Sequence, residues 1–110
     1  MDKDKEIKSD LEIAKGYVNK HKNAQERGIL FDLPLQSYAN VMKAKKCYYT
    51  GLPLSSNNIT IDRVDNSKGY VKGNVVACVL FFNNLKGLLE NPNNDYSVED
   101  IIKGLEKINK

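Results

Sequence analysis

Asp62, Asn74 and Asn83, with Arg63, Asp65, Gly69 and Tyr70 among them, are the residues whose types and spacing could do chemistry. A carboxylate and an amide oxygen are hard donors of the kind that holds Mg²⁺ or Mn²⁺ while leaving most of the coordination sphere to water. A cation held in that way can neutralise a phosphate and activate water, the two requirements of phosphodiester hydrolysis. Arg63, Lys68, Lys72 and Lys86 add positive charge beside these oxygens, and Lys43, Lys45 and Lys46 form a second cluster that reads equally as a solvated helix end or as a contact for a phosphate backbone. Each Asn taken alone reads as a turn or cap residue in a chain rich in Asn. The joint spacing of Asn74 and Asn83 with Asp62 and the Gly69-Tyr70 pair is what points to a site.

The stretch Ile61-Asp62-Arg63-Val64-Asp65-Asn66-Ser67-Lys68-Gly69-Tyr70-Val71-Lys72-Gly73-Asn74-Val75, followed by Asn83 and Lys86, resembles the core of HNH (His-Me finger) endonucleases. It is most similar to the phage and bacterial branch reading IDRxDxxxGYxxxN…NxxK after a Cys-x-x-Thr-Gly turn, which here is Cys47-Tyr48-Tyr49-Thr50-Gly51. The likeness runs from about Ala24 to Lys86, because Ala24 to Phe31 is similar to the RGIxF lead-in of such proteins. It implies a ββα unit around one divalent cation, Mg²⁺ or Mn²⁺, with DNA as the substrate. It also implies Asp62 and Asn83 as the cation ligands and Asn74 as a brace for the loop. An origin in a phage or mobile element is expected, and with it the cytoplasm of a host cell.

The chain departs from the family at Arg63, where HNH enzymes usually carry the His that deprotonates water. A guanidinium stays protonated, so Arg63 can bind phosphate but cannot accept a proton. Asp65, Tyr70 and bulk hydroxide remain as candidate acceptors, with Asp65 favoured because it is a carboxylate. His21, the chain's single His, lies at the end of an apolar helical stripe and is expected to be a partly buried, structural residue. Some relatives carry a zinc knuckle of two Cys-x-x-Cys pairs, at positions that here are Cys47 with Thr50 and Val79 with Phe82. Of those four, one Cys remains, so no structural zinc is expected, and Cys47 and Cys78 read as reduced, small core residues.

The elements that must position these residues fit in one domain. With 110 residues the chain can form a single core, and 17 basic against 14 acidic side chains leave a net charge of only +3. Nucleic-acid contact must therefore come from local clustering. No apolar run long enough to span a membrane and no apolar segment after the charged N-terminus is present, so neither membrane insertion nor export by that route is expected. The predicted class is α+β, a small domain whose HNH-like core, about 47–89, is flanked by an N-terminal helical part, 5–45, and a C-terminal helix, 97–109. Ile7, Leu11, Ala14, Val18 and His21 predict a first helix over residues 5 to 26 with that stripe inward. Pro34 opens a second helix carrying Leu35, Tyr38, Val41 and Met42 inward.

Cys47 to Tyr49 is expected to be extended, with a turn over Thr50 to Pro53. Ile59-Thr60-Ile61 predicts a strand delivering Asp62 at its end. Residues 66 to 73 then form a loop, Val75 to Cys78 a second strand, and Val79 to Leu89 a helix with Asn83 and Lys86 on one face. Asn91 to Asn94 breaks the chain. Ser97 to Asp100 reads as a capping box for a last helix with Val98, Ile101, Ile102, Leu105 and Ile108 inward.

The leading expectation is a metal-dependent HNH-like DNA endonuclease. The competing one, favoured by Arg63, is a module that keeps this scaffold without cutting and binds DNA or a host protein, for example as an anti-defence factor.

Overall fold

A computed structural model describes residues 8–90 and 97–109. In chain order the elements are α1 (Asp10–Glu26), β1 (Phe31–Asp32), α2 (Leu35–Met42), β2 (Ile59–Arg63), β3 (Tyr70–Val71), β4 (Val75–Val79), α3 (Leu80–Leu89) and α4 (Val98–Ile108). The result is one small α+β domain. β2 and β4 pair antiparallel, with Ile59 opposite Val79 and Arg63 opposite Val75. α3 follows β4 without a linker. Period-two alternation then sorts the side chains of β2. Ile59 and Ile61 enter the main core with Ile13, Leu33, Tyr38 and Met42, whereas Thr60 and Asp62 turn to the other face, toward α3.

α1 begins later than the periodicity predicts. Ser9 and Glu12 form a reciprocal capping box, the Ser9 hydroxyl accepting from the Glu12 N–H at 3.2 Å and the Ser9 N–H donating to Glu12 Oε1 at 3.0 Å. That fixes the helix start at Asp10; Ile7 lies outside the described residues. The inward face is also not the expected one. Leu11 and Val18 are 64% and 59% exposed, while Ile13 and Ala24 are buried. A second stripe of equal spacing wins because Tyr17 donates to the Leu33 carbonyl at 2.7 Å. Gly16 lets the Tyr38 hydroxyl lie where a Cβ would be only 2.6 Å away. His21 is exposed and stacks on Phe31, ring centroids 5.1 Å apart, instead of being partly buried.

The loop after β2 contains a short parallel pair that periodicity does not reveal. Phe31 and Asp32 pair with Tyr70 and Val71, and Tyr70 N–H donates to the Leu30 carbonyl at 2.9 Å. A Cβ on Gly69 would meet that same carbonyl at 2.4 Å. The glycine before Tyr70 is therefore required by close backbone approach.

Cys47 to Tyr49 is not extended. Gly51 N–H donates to the Cys47 carbonyl and Cys47 N–H to the Leu52 carbonyl, closing a tight turn over Cys47 to Gly51. The turn packs on β4 and α3 as a second core of Cys47, Cys78 and Val79 with Tyr49, Leu54 and Phe82. Both cysteines are buried free thiols. Burial pushes the Cys47 thiol up, but the Thr50 hydroxyl and the N–H groups of Val79, Thr50 and Tyr49 donate to its sulfur and bring it down to about 7. Cys78 is pushed up to about 12 by burial and by the neighbouring Cys47 sulfur.

α2 starts after Pro34 and buries Tyr38 and Met42, with Val41 half-buried and Leu35 47% exposed. α4 has the predicted Ser97–Asp100 capping box, yet its apolar face is not inward. Val98, Ile102, Leu105 and Ile108 are all about half exposed or more, and only Ile101 is half-buried. Periodicity shows that a helix has an apolar face, not that a surface is within reach of it. Asn91 to Asn94 lies outside the described residues.

Candidate functional site

The C-terminal end of β2, the face of α3 and the outer end of α1 enclose a cleft of about 340 Å³. Asp62 and Asn83 both line it, together with Arg63, Asn66, Tyr70 and Glu90, and with Lys20 and Arg27 from the α1 side. Asp62 is buried, 8% exposed. Its Oδ2 accepts from the Tyr49 hydroxyl at 2.6 Å and lies 3.3 Å from Lys86 Nζ. Among the described residues no buried side-chain polar atom lacks a partner, so Oδ1, which makes no such bond, reaches the solvent of the cleft. Asn83 is oriented by Thr60: its Nδ2 donates to Thr60 Oγ1 at 2.8 Å, and that hydroxyl donates to the Cys78 carbonyl at 2.7 Å. This arrangement leaves the Asn83 amide oxygen for the cleft.

Tyr49 and Lys86 set the electrostatics of Asp62. Burial raises the Tyr49 phenol well above its ordinary range, and the Asp62 carboxylate it donates to raises it further. Tyr49 is accordingly a proton donor to Asp62 and not a base. Lys86 is lowered by burial but raised more by Glu90 and Asp62, so its ammonium is held charged. It donates to both Glu90 carboxylate oxygens at 2.9 and 3.0 Å and to the Arg63 carbonyl at 3.2 Å. A phosphate would have to compete with two carboxylates for this lysine. Its side chain is only 12% exposed.

Asn74 does not line the cleft. It is 6% exposed and ties the loop together from below. Its Oδ1 accepts from Asp65 N–H at 2.9 Å, and its Nδ2 donates to the carbonyls of Asp65 and Gly69 at 3.1 and 2.9 Å. Asp65 is also turned away. Its Oδ1 accepts from the N–H and hydroxyl of Ser67 at 2.9 and 2.6 Å, which lowers its carboxyl below the usual range. It therefore serves a turn, away from the cleft. Arg63 donates through Nη1 to the carbonyls of Asn66 and Lys68 and lies over the Tyr70 ring, 5.2 Å from its centroid.

The cations singled out from the sequence are dispersed. Lys43 pairs with Asp10 at 3.5 Å on the surface; Lys45, Lys46, Lys68 and Lys72 are exposed and line no part of the cleft. Sequence reasoning missed Lys20, Arg27, Tyr49 and Glu90. The scarcity of Arg in a chain with fifteen Lys was the available signal for Arg27; Tyr49 and Glu90 carried none. Among the described residues no three His, Cys, Asp or Glu side chains are grouped as a metal site. A cation here would have the carboxylate–amide pair of Asp62 and Asn83, a donor set that suits Mg²⁺ or Mn²⁺.

No helix among the described residues is long and apolar enough to cross a membrane. No protein-family model matches the chain, and no solved structure matches it. It is similar to a protein of Enterobacteria phage T4, described as an uncharacterized 29.0 kDa protein in the dda-modA intergenic region, with 29% identity over 85 residues. That match covers 74% of this chain and 32% of the phage protein, so the chain spans about a third of its relative's length.

Proposed function

We propose that this chain is an HNH-like endonuclease of phage or mobile-element origin that cleaves DNA with a single divalent cation in a host cytoplasm. The observation that carries the reading is that Asp62, at the end of β2, and Asn83, on the helix that continues β4, line one cleft with Arg63. Three further features support it. Asn74 braces the loop between them, Gly69 and Tyr70 have a backbone reason for their place in the motif, and a hydrogen-bonded thiol core occupies the turn where relatives carry zinc. The likeness to a phage protein agrees with the proposed origin.

Asp62 Oδ1 and the Asn83 amide oxygen would hold Mg²⁺ or Mn²⁺. Bound there, the cation would neutralise the scissile phosphate and favour ionisation of water. Tyr49 and Lys86 hold Asp62 in place, Thr60 keeps the Asn83 oxygen turned outward, and Arg63 offers Nε and Nη2 to a phosphate oxygen. Nicking of supercoiled plasmid with Mg²⁺ or Mn²⁺, abolished by EDTA and by Asp62→Ala, is the expected result; wild type that nicks no faster than Asp62→Ala ends the reading.

A second reading is favoured by Arg63, which cannot accept a proton, and by the ammonium already paired with Asp62. In it the scaffold binds DNA or a host protein without cutting. The same assay separates the two, since this reading requires retention of a partner with no metal-dependent nicking.

A further inference from the structure

The cleft has a cationic wall of which two members, Lys20 and Arg27, belong to neither the motif nor the proposed metal pair. Lys20 reaches it from α1, Arg27 from the C-cap of that helix, and Arg63 from β2. Lys20 Nζ and Arg63 Cζ lie 5.7 and 5.2 Å from the centroid of the Tyr70 ring, so two like charges share one aromatic neighbour. Among the described residues none of the three makes an ion pair. The carboxylates that line the cleft, Asp62 and Glu90, are both paired with Lys86 instead. The lining thus holds three cations against two carboxylates, and with Lys86 paired to both carboxylates the three cations have no counterion of their own among the described residues. Both arginines of the chain are in it.

Like charges gathered without counterions repel, and an anion placed among them removes that cost. The spacing along α1 indicates which anion. Lys20 and Arg27 are seven residues apart, two turns on one face, or about 10 Å along the axis. One phosphate is too small to span that wall, whereas successive phosphates of a strand suit it. We propose that Lys20 and Arg27, with Arg63, form a seat for a polynucleotide backbone, holding phosphates on the α1 side of the cleft next to Asp62 and Asn83. The proposal rests on the nucleic-acid reading above, but not on cleavage.

The test is fluorescence anisotropy of a labelled duplex in EDTA, where no cutting occurs, at about 50 and about 200 mM salt. Wild type, Lys20→Ala, Arg27→Ala, the double variant and Lys103→Ala on α4 are compared, with circular dichroism and thermal melts to verify folding. Lys20→Arg and Arg27→Lys serve as charge-keeping variants. The expected result is at least a tenfold loss of affinity in the double variant, a salt slope lower by about 2, and retention in Lys103→Ala and in the charge-keeping pair. Inorganic phosphate should compete only weakly.

Full competition by millimolar phosphate would mean a seat for a single ion and would overturn the proposal. Unchanged duplex binding by a folded double variant, or no binding by wild type at the lower salt, would also overturn it. Plasmid nicking is scored separately: Lys20- and Arg27-dependent binding without nicking keeps the seat and removes the nuclease, and nicking with unaltered binding does the reverse.

Discussion

Lys86 Nζ lies 3.3 Å from Asp62 Oδ2, and the two side chains are only 12% and 10% exposed. The proposed cation ligand is thus already held by a resident positive charge on the inner side of α3. Such a pair depends on both partners, because removing one leaves the other as a buried, uncompensated charge.

Lys86→Met should accordingly destabilise the domain by about 3 kcal/mol. If Asp62 and Asn83 hold a divalent ion, excess Mn²⁺ should raise the melting temperature of Lys86→Met more than that of wild type, since the cation replaces the lost ammonium. Melts with Mn²⁺ and with EDTA measure this. Equal responses in the two proteins would count against a cation at Asp62.

Arg63→His tests the chemistry. A neutral imidazole beside Asp62 can accept a proton, and general-base catalysis is worth about 10²–10⁴-fold in rate. The change also removes the charged hydrogen bonds from Arg63 to the Asn66 and Lys68 carbonyls, at about 1–3 kcal/mol of stability. Single-turnover cleavage at saturating DNA isolates chemistry, and the half-saturation point reports binding. Faster cleavage, lost again in the Asp62→Ala control, is expected; a rate no higher than that of an active wild type assigns Arg63 to a different mechanism.

Asn74→Ala should cost about 1–3 kcal/mol, because it removes the buried amide that bonds the Asp65 N–H and the carbonyls of Asp65 and Gly69. Asn74→Asp should not rescue it. A carboxylate cannot donate to the carbonyls of Asp65 and Gly69. Urea unfolding of both variants gives the comparison, and full stability in Asn74→Asp would show that the two donated bonds contribute nothing.

Gly69→Ala should separate β1 from β3, since the new Cβ would lie 2.4 Å from the Leu30 carbonyl oxygen. A loss of about 1–3 kcal/mol is expected. Hydrogen exchange at the Tyr70 amide, which donates to that carbonyl at 2.9 Å, should accelerate more than exchange in β2.

The two thiols give the domain an alkaline stability profile. Cys47 is lowered from 9.0 to about 7 on folding, so between those values the unfolded chain binds the extra proton and stability rises with pH. Cys78 is raised from 9.0 to about 12, so above 9 the folded chain binds the extra proton and stability falls. A maximum near pH 9 is expected in urea titrations from pH 6 to 10. Cys47→Val should flatten the rising limb, and an unchanged limb in that variant would show that the thiol at 47 is not the titrating group.

Local pattern carried the hairpin and the helix after it. The β-branched run at Ile59 to Ile61, the second run from Val75 and the apolar segment to Leu89 are each contiguous in the chain and read by residue type alone, so β2, β4 and α3 fall where the residues predict them. The Ser97–Asp100 cap was readable for the same reason, being a contact across three residues. What required the tertiary structure was every choice between locally equal alternatives. Two stripes of α1 have helical spacing, and only the close approach of Tyr38 to Gly16 and the reach of Tyr17 to Leu33 decide between them. The apolar face of α4 is evident in its sequence, but burial depends on whether a facing surface is within reach. The cleft belongs to the same class: Asp62 and Asn83 announce themselves by spacing, whereas Lys20, Arg27, Tyr49 and Glu90 join them only when distant segments fold together. Sequence spacing records what one segment can present, and long-range packing determines what it meets.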